Sequence, residues 1–171
     1  MKRILIFIAL ALVLFGLPFI AYSTEDYVGI KKCKMCHMKI YKGWQKTSHA
    51  TALETLKPGV ANEAKQKAGL DPQKDYSQDA ACIDCHTTGP DHKPGIQCEA
   101  CHGAGKAYSS SKIMNRSKWK ADPEKHCAMA VEAGLKKAPD EKNCTACHNE
   151  KSPTYKPFDF KKRYEEIKHS K

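Results

Sequence analysis

Eight of the nine cysteines in this 171-residue chain form four C-x-x-C pairs, namely Cys33/Cys36, Cys82/Cys85, Cys98/Cys101 and Cys144/Cys147. Each pair is followed at once by a histidine: His37, His86, His102 and His148. C-x-x-C alone is shared with zinc ribbons and dithiol redox sites, but neither chemistry demands histidine at the next position. With eight histidines in the chain, four such successions would arise by chance on the order of once in a hundred thousand. One chemistry does demand them. In a helical turn, residues three apart share a side, so two thiols add to the two vinyl groups of one haem while the next residue ligates its iron. Four covalently bound haem c groups are expected on these eight sulfurs, and the pattern singles out no catalytic residue.

Four histidines remain, His49, His92, His126 and His169, one for each iron. Equal numbers permit bis-histidine ligation throughout; the ordinary alternative for each is a solvated or hydrogen-bonded side chain. If the segment from His37 to His49 is helical, the twelve-residue rise separates them by roughly 18 Å. Two axial nitrogens on one iron lie only about 4 Å apart. His49 is then expected to serve a haem other than that of its sequence neighbour. Met35, Met38, Met114 and Met129 are alternative axial ligands that would raise the potential, but read more simply as packing residues. Cys127, the unpaired ninth cysteine beside His126, reads as a small buried residue, with an intermolecular disulfide or a thiolate ligand as alternatives.

The elements that must position these groups are short. Lys2 and Arg3, an apolar run over 4–20 and the small-residue site Ala21-Tyr22-Ser23 have the three parts of a signal peptide over 1–23. An uncleaved membrane anchor is the alternative, and would associate the protein with the membrane. Residues 24–171 then form a single domain. Leu, Ile, Val and Phe together number only 15 in it, about half the proportion, roughly 20 %, below which charged chains tend to disorder. Such a chain does not offset its own conformational entropy unaided. Four porphyrins would provide the missing apolar surface.

Residues 24–171 carry 27 Lys and Arg against 19 Asp and Glu. In isolation this excess suggests a nucleic-acid or anionic-membrane partner. Up to eight haem propionates would absorb most of it through ion pairing, and no aromatic residues interleave the basic ones as base stacking requires, so nucleic acid is not expected. A helix is expected after the first motif, with Gln45, His49, Ala52, Leu53 and Leu56 on one face and Pro58-Gly59 as its end. A short helix over 60–69 and a tight turn over 87–97 follow. Asp122-Pro123-Glu124 starts another helix that stops at Gly134, and the last runs from Asp159 to about His169. No strand pattern is visible. The expected fold is mostly α, short helices and loops wrapped around haems with little or no β.

The run Tyr27-Val28-Gly29, the first C-x-x-C-H, then Tyr41, Trp44, Ser48 and His49, CIDCHTTG, GIQCEACHGAG, CTACHNEKSP and the closing Ile167-Lys168-His169 resemble the cytochrome c-554 family of tetrahaem c-type cytochromes. That resemblance implies closely stacked haems, mainly bis-histidine irons with His49 reaching a haem other than the first, and electron transfer in the periplasm. Residues 113–130 match the family least. Some relatives carry a five-coordinate haem. The favoured reading is an electron carrier between a membrane or periplasmic donor and an acceptor protein. Two alternatives stand beside it: an oxidoreductase with one open haem acting on a small nitrogen compound, and an oligomeric subunit of a haem-lined polymer.

Overall fold

The computed structural model describes residues 26–169, so the leader expected over 1–23 lies outside the described residues. In chain order the elements are α1 Ile30–Lys34, α2 Met38–Trp44, a 3-10 turn Leu53–Leu56, α3 Asn62–Lys67, α4 Ile83–His86, β1 Thr87–Thr88, β2 Lys93–Pro94, α5 Cys98–His102, α6 Arg116–Ala121, α7 Pro123–Glu132, α8 Glu141–Thr145 and α9 Phe160–Ile167. The protein is mostly helical, as its sequence suggested. The longest element described, α7, has ten residues, and no described helix is long and apolar enough to cross a membrane.

The two-residue strands pair antiparallel, Thr87 with Pro94 and Thr88 with Lys93. No alternating pattern announces them, because side-chain hydrogen bonds hold the hairpin. The buried Thr88 hydroxyl donates to Gly95 O (2.9 Å) and accepts from Gln97 N (2.8 Å), while the Thr87 hydroxyl donates to Ile83 O (2.7 Å).

The helix expected after the first motif stops at Trp44, earlier than its apolar spacing suggested. Tertiary bonds redirect the chain there. The Trp44 indole donates to Ile96 O (2.7 Å), the Thr47 hydroxyl turns back onto Trp44 O (2.7 Å), and His49 O accepts from Ile96 N (2.8 Å). Gly95 allows this approach: its φ is +76°, and a Cβ would meet Ala50 O at 2.7 Å and His49 O at 2.9 Å.

Helix α7 begins where Asp122-Pro123 placed it. The Asp122 carboxylate caps it by accepting from Lys125 N at 3.0 Å, and Pro123 occupies the first turn. Replacing Asp122 by Ala is expected to cost about 1 kcal/mol, read as a lower urea midpoint with faster amide exchange in the first turn of α7. Helix α6 was not foreseen; its cap is Asn115, which accepts from Lys118 N at 3.1 Å.

Between α6 and α7 lies the chain's own apolar cluster, Tyr108, Ile113 and Ala130, with Met114, Trp119, Met129, Ala133 and Leu135 packed on it. Among the described residues, only Leu56, Tyr76 and Ile83 join those three as buried hydrophobic side chains. Six is a thin core for a domain of this length.

Candidate haem-ligating site

All four motifs are wound into helical turns. His37 N bonds to Cys33 O (3.0 Å) and His148 N to Cys144 O (2.9 Å), while α4 and α5 contain the second and third motifs. Each turn therefore gathers two sulfurs and an imidazole on one side, as thioether attachment with axial ligation requires.

The eight motif sulfurs, equivalent in the sequence, are not equivalent in the fold, and Cys36 is the exception. Cys36 is exposed, whereas Cys33, Cys82, Cys85, Cys98, Cys101, Cys144 and Cys147 are all half-buried. Helix α1 ends at Lys34, and Cys36 lies in the turn that leads to α2. Its neighbours Met35 and Met38 are 74 % and 46 % exposed, so these two methionines are not the packing residues that their type suggested. Met114 and Met129 do pack, against the cluster between α6 and α7.

The motifs also meet one another. The Cys33 S–H donates to Gly29 O at 3.8 Å, and the two thiols interact so that Cys98 pushes the Cys33 thiol up while Cys33 pushes the Cys98 thiol down. Cys147 faces Cys85, and burial followed by that contact pushes the Cys147 thiol up to about 12. Cys101 is pushed up to about 11, by burial first and then by Cys144 and Cys98. The first motif thus sits against the third, the second against the fourth, and the third beside the fourth. Among the described residues no group of three or more His, Cys, Asp or Glu is placed to hold a metal ion by itself.

Two histidine pairs then stand out. The ring centroids of His49 and His148 lie 6.2 Å apart and those of His102 and His169 lie 5.8 Å apart, with interplanar angles of 54° and 48°. Two imidazoles on opposite sides of one iron, each nitrogen about 2 Å from the metal, bring their centroids to about 6 Å. Burial is the leading cause that pushes His49, His148 and His169 below the usual imidazole range, favouring the neutral form that ligates metals. Phe158 stacks on His148 at 4.8 Å and 18°, fixing the ring.

Backbone carbonyls hold two of the motif imidazoles. His86 Nδ1 lies 2.7 Å from Ala52 O, and His102 Nδ1 lies 2.7 Å from Lys136 O. A carbonyl only accepts, so Nδ1 carries the proton and Nε2 keeps its lone pair for a metal. These second partners are not recognisable in the sequence, because a backbone oxygen leaves no mark on residue type.

The structure places the other two candidates elsewhere. His92, at φ +51° on the hairpin tip, has Nδ1 3.2 Å from the Thr87 hydroxyl and 3.8 Å from Asp84 Oδ1. His126 is buried in α7, with Nδ1 2.9 Å from Ile113 O and its ring 6.2 Å from Trp119. Among the described residues no imidazole ring faces His37 or His86 as His49 faces His148. Cys127, half-buried on α7, forms no disulfide.

The sequence matches the family described as cytochrome c554 and c-prime over residues 32–103. Cytochrome c-554 of Nitrosomonas europaea is 39 % identical, the match taking in 74 % of this chain and 59 % of that protein. The chain therefore spans less than two thirds of that relative's length. The solved structure of reduced cytochrome c554 from Nitrosomonas europaea superposes with a TM-score of 0.63 at 33 % identity, covering 84 % of this chain and 78 % of the other. The chain belongs to the cytochrome c-554 family. Membership implies covalently bound haem c, and the residues present fit it. Paired sulfurs with adjacent imidazoles and ring separations of 6.2 and 5.8 Å suit an iron porphyrin, and the thin core of this cytochrome c-554 relative leaves apolar surface for such a group to supply.

Proposed function

We propose that the chain holds four haem c groups and serves as an extracytoplasmic electron carrier. The observation that carries this reading is the pair of facing imidazoles, His49 with His148 and His102 with His169, set among motifs that touch one another. Bound at these positions, haem supplies reversible one-electron chemistry at iron. The chain's own residues do the rest. Cys33/Cys36, Cys82/Cys85, Cys98/Cys101 and Cys144/Cys147 fasten the groups, Cys36 from the solvent edge and the others from half-buried positions. His37, His86, His102 and His148 ligate from the motif side. His49 and His169 close two irons from the distal side. The carbonyls of Ala52 and Lys136 fix the His86 and His102 tautomers. Since every motif lies beside another, no attachment point is isolated from the array.

The basic, apolar and small-residue stretches of the N-terminus support export to the periplasm, where attachment of haem to cysteine would take place. Partners on this reading are redox proteins, a donor and an acceptor. Irons with two histidines lack the methionine that raises potential. The two closed irons are therefore expected to titrate below the range of a His/Met cytochrome c. Spectroelectrochemical titration checks this, and four strongly positive midpoints would contradict it.

A second reading rests on one observation: among the described residues, His37 and His86 have no imidazole opposite them. An iron with a free position activates small ligands instead of only passing electrons. Carbon monoxide added to the reduced protein is expected to bind at one or two of the four haems. No binding at all would favour a pure carrier with other groups closing those irons.

A further inference from the structure

Glu99 lies between the two cysteines of the third motif, and its side chain is among the most buried in the molecule, at 2 % exposure. Three backbone amides donate to it. Val28 N lies 2.9 Å and Gly105 N 2.7 Å from Oε1, and Gly29 N lies 2.7 Å from Oε2. Two of those amides come from the segment that leads into the first motif, some 70 residues away in sequence. Gln97 adds a fourth tie, accepting from Ile30 N at 2.8 Å. The cradle excludes a side chain at 105, where a Cβ would sit 2.8 Å from Glu99 Oε1 and 2.9 Å from Val28 Cγ2.

Among the described residues no Lys or Arg pairs with this carboxylate. A buried carboxylate without a cation is costly, and the three amide donors are the partners that offset that cost. The field of the charge reaches both motifs: it contributes to raising the Cys33 thiol, opposes ionisation of Cys98, and helps push the Tyr108 phenol up. A fixed negative charge in a poorly screened interior stabilises the oxidised state of a neighbouring redox centre over the reduced one.

We propose that Glu99 is a positioning residue that locks α1 to α5 and, through its unpaired charge, lowers the reduction potentials of the haems held at Cys33/Cys36 and Cys98/Cys101. This rests on the four-haem reading above. It adds a gradient: electrons settle preferentially on the second and fourth motifs, away from Glu99.

The test is Glu99→Gln in the matured protein, which removes the charge at nearly constant volume. Two of the four midpoints are expected to rise, with the other two and the haem content unchanged. Amide exchange at residues 28, 29 and 105 should accelerate, a readout independent of redox activity. Four unmoved midpoints, or four moved equally, would overturn the proposal. Glu99→Asp keeps the charge and shortens its reach, so exchange should accelerate while the midpoints stay near the parent values. A rise in Glu99→Asp equal to that in Glu99→Gln would show that loosening and not charge sets the potential. Failure of the underlying four-haem reading would appear separately, as fewer than four haems in the parent protein before any substitution is made.

Discussion

Replacing His49 by Ala is expected to convert one low-spin haem in four to a high-spin haem that binds carbon monoxide, while haem content stays at four per chain. The His49 ring lies 6.2 Å from that of His148, the spacing of two ligands on one iron. Truncation removes only the distal nitrogen. On the proposed reading the thioether anchors would be Cys144 and Cys147, on the motif side. The tie between this segment and the hairpin survives too, because Ile96 N bonds to the His49 carbonyl and not to its ring. Fold and attachment should therefore persist while one coordination position opens. Visible and magnetic-circular-dichroism spectra with and without carbon monoxide report the change. A variant spectrum identical to the parent's would mean that His49 only packs beside His148.

The second large effect concerns folding. A chain expressed without residues 1–23, the expected export signal, and so without haem attachment, is expected to show no cooperative thermal transition. Six buried hydrophobic side chains among the described residues are a thin core with which to offset the conformational entropy of ordering such a chain. Hydrogen bonds contribute only about 1 kcal/mol net apiece. The missing stabilisation has to come from large apolar groups held between the motifs. A milder form of the experiment replaces Cys98 and Cys101 together by Ser. One haem should be lost, and limited proteolysis should begin to cut between His86 and Lys120. Circular dichroism of the haem-free chain showing native helix content and a cooperative melt would rule this account out.

How much of this was legible in the sequence differs from element to element, for physical reasons. The C-x-x-C-H turns were plain because covalent attachment fixes residue type and spacing together. Their surroundings were not: Cys36 looks the same as its seven counterparts until the end of α1 leaves it exposed. Helix α7 was as plain as the motifs, since Asp122 and Pro123 act locally, through a cap and a preset φ. The helix after the first motif ends short of its apolar spacing, which continues past Trp44, because the bonds that end it, from Trp44 to Ile96 and between Ile96 and His49, join residues some 50 positions apart. The hairpin at 87–94 is hidden because a single threonine hydroxyl, that of Thr88, and no alternating run, ties it to the chain that follows. Among the candidate ligands, counting made His49, His92, His126 and His169 equivalent, since histidines alone do not say which carbonyl or ring will claim them. The fold gives them different neighbours: the rings of His49 and His169 lie beside those of His148 and His102, His126 Nδ1 meets the Ile113 carbonyl as His86 and His102 meet theirs, and His92 lies near Thr87 and Asp84. Glu99 gave no signal either, because an acidic residue inside a motif looks solvated until the amides of Val28, Gly29 and Gly105 are seen to converge on it.

The central claim is that histidines distant in sequence close the irons of the third and fourth motifs. Anomalous diffraction at the iron edge from crystals of the matured protein tests it most directly. Four iron peaks are expected, one lying between the rings of His49 and His148 and another between those of His102 and His169. Iron beside His148 and His102 with His49 and His169 turned away from it would contradict the account.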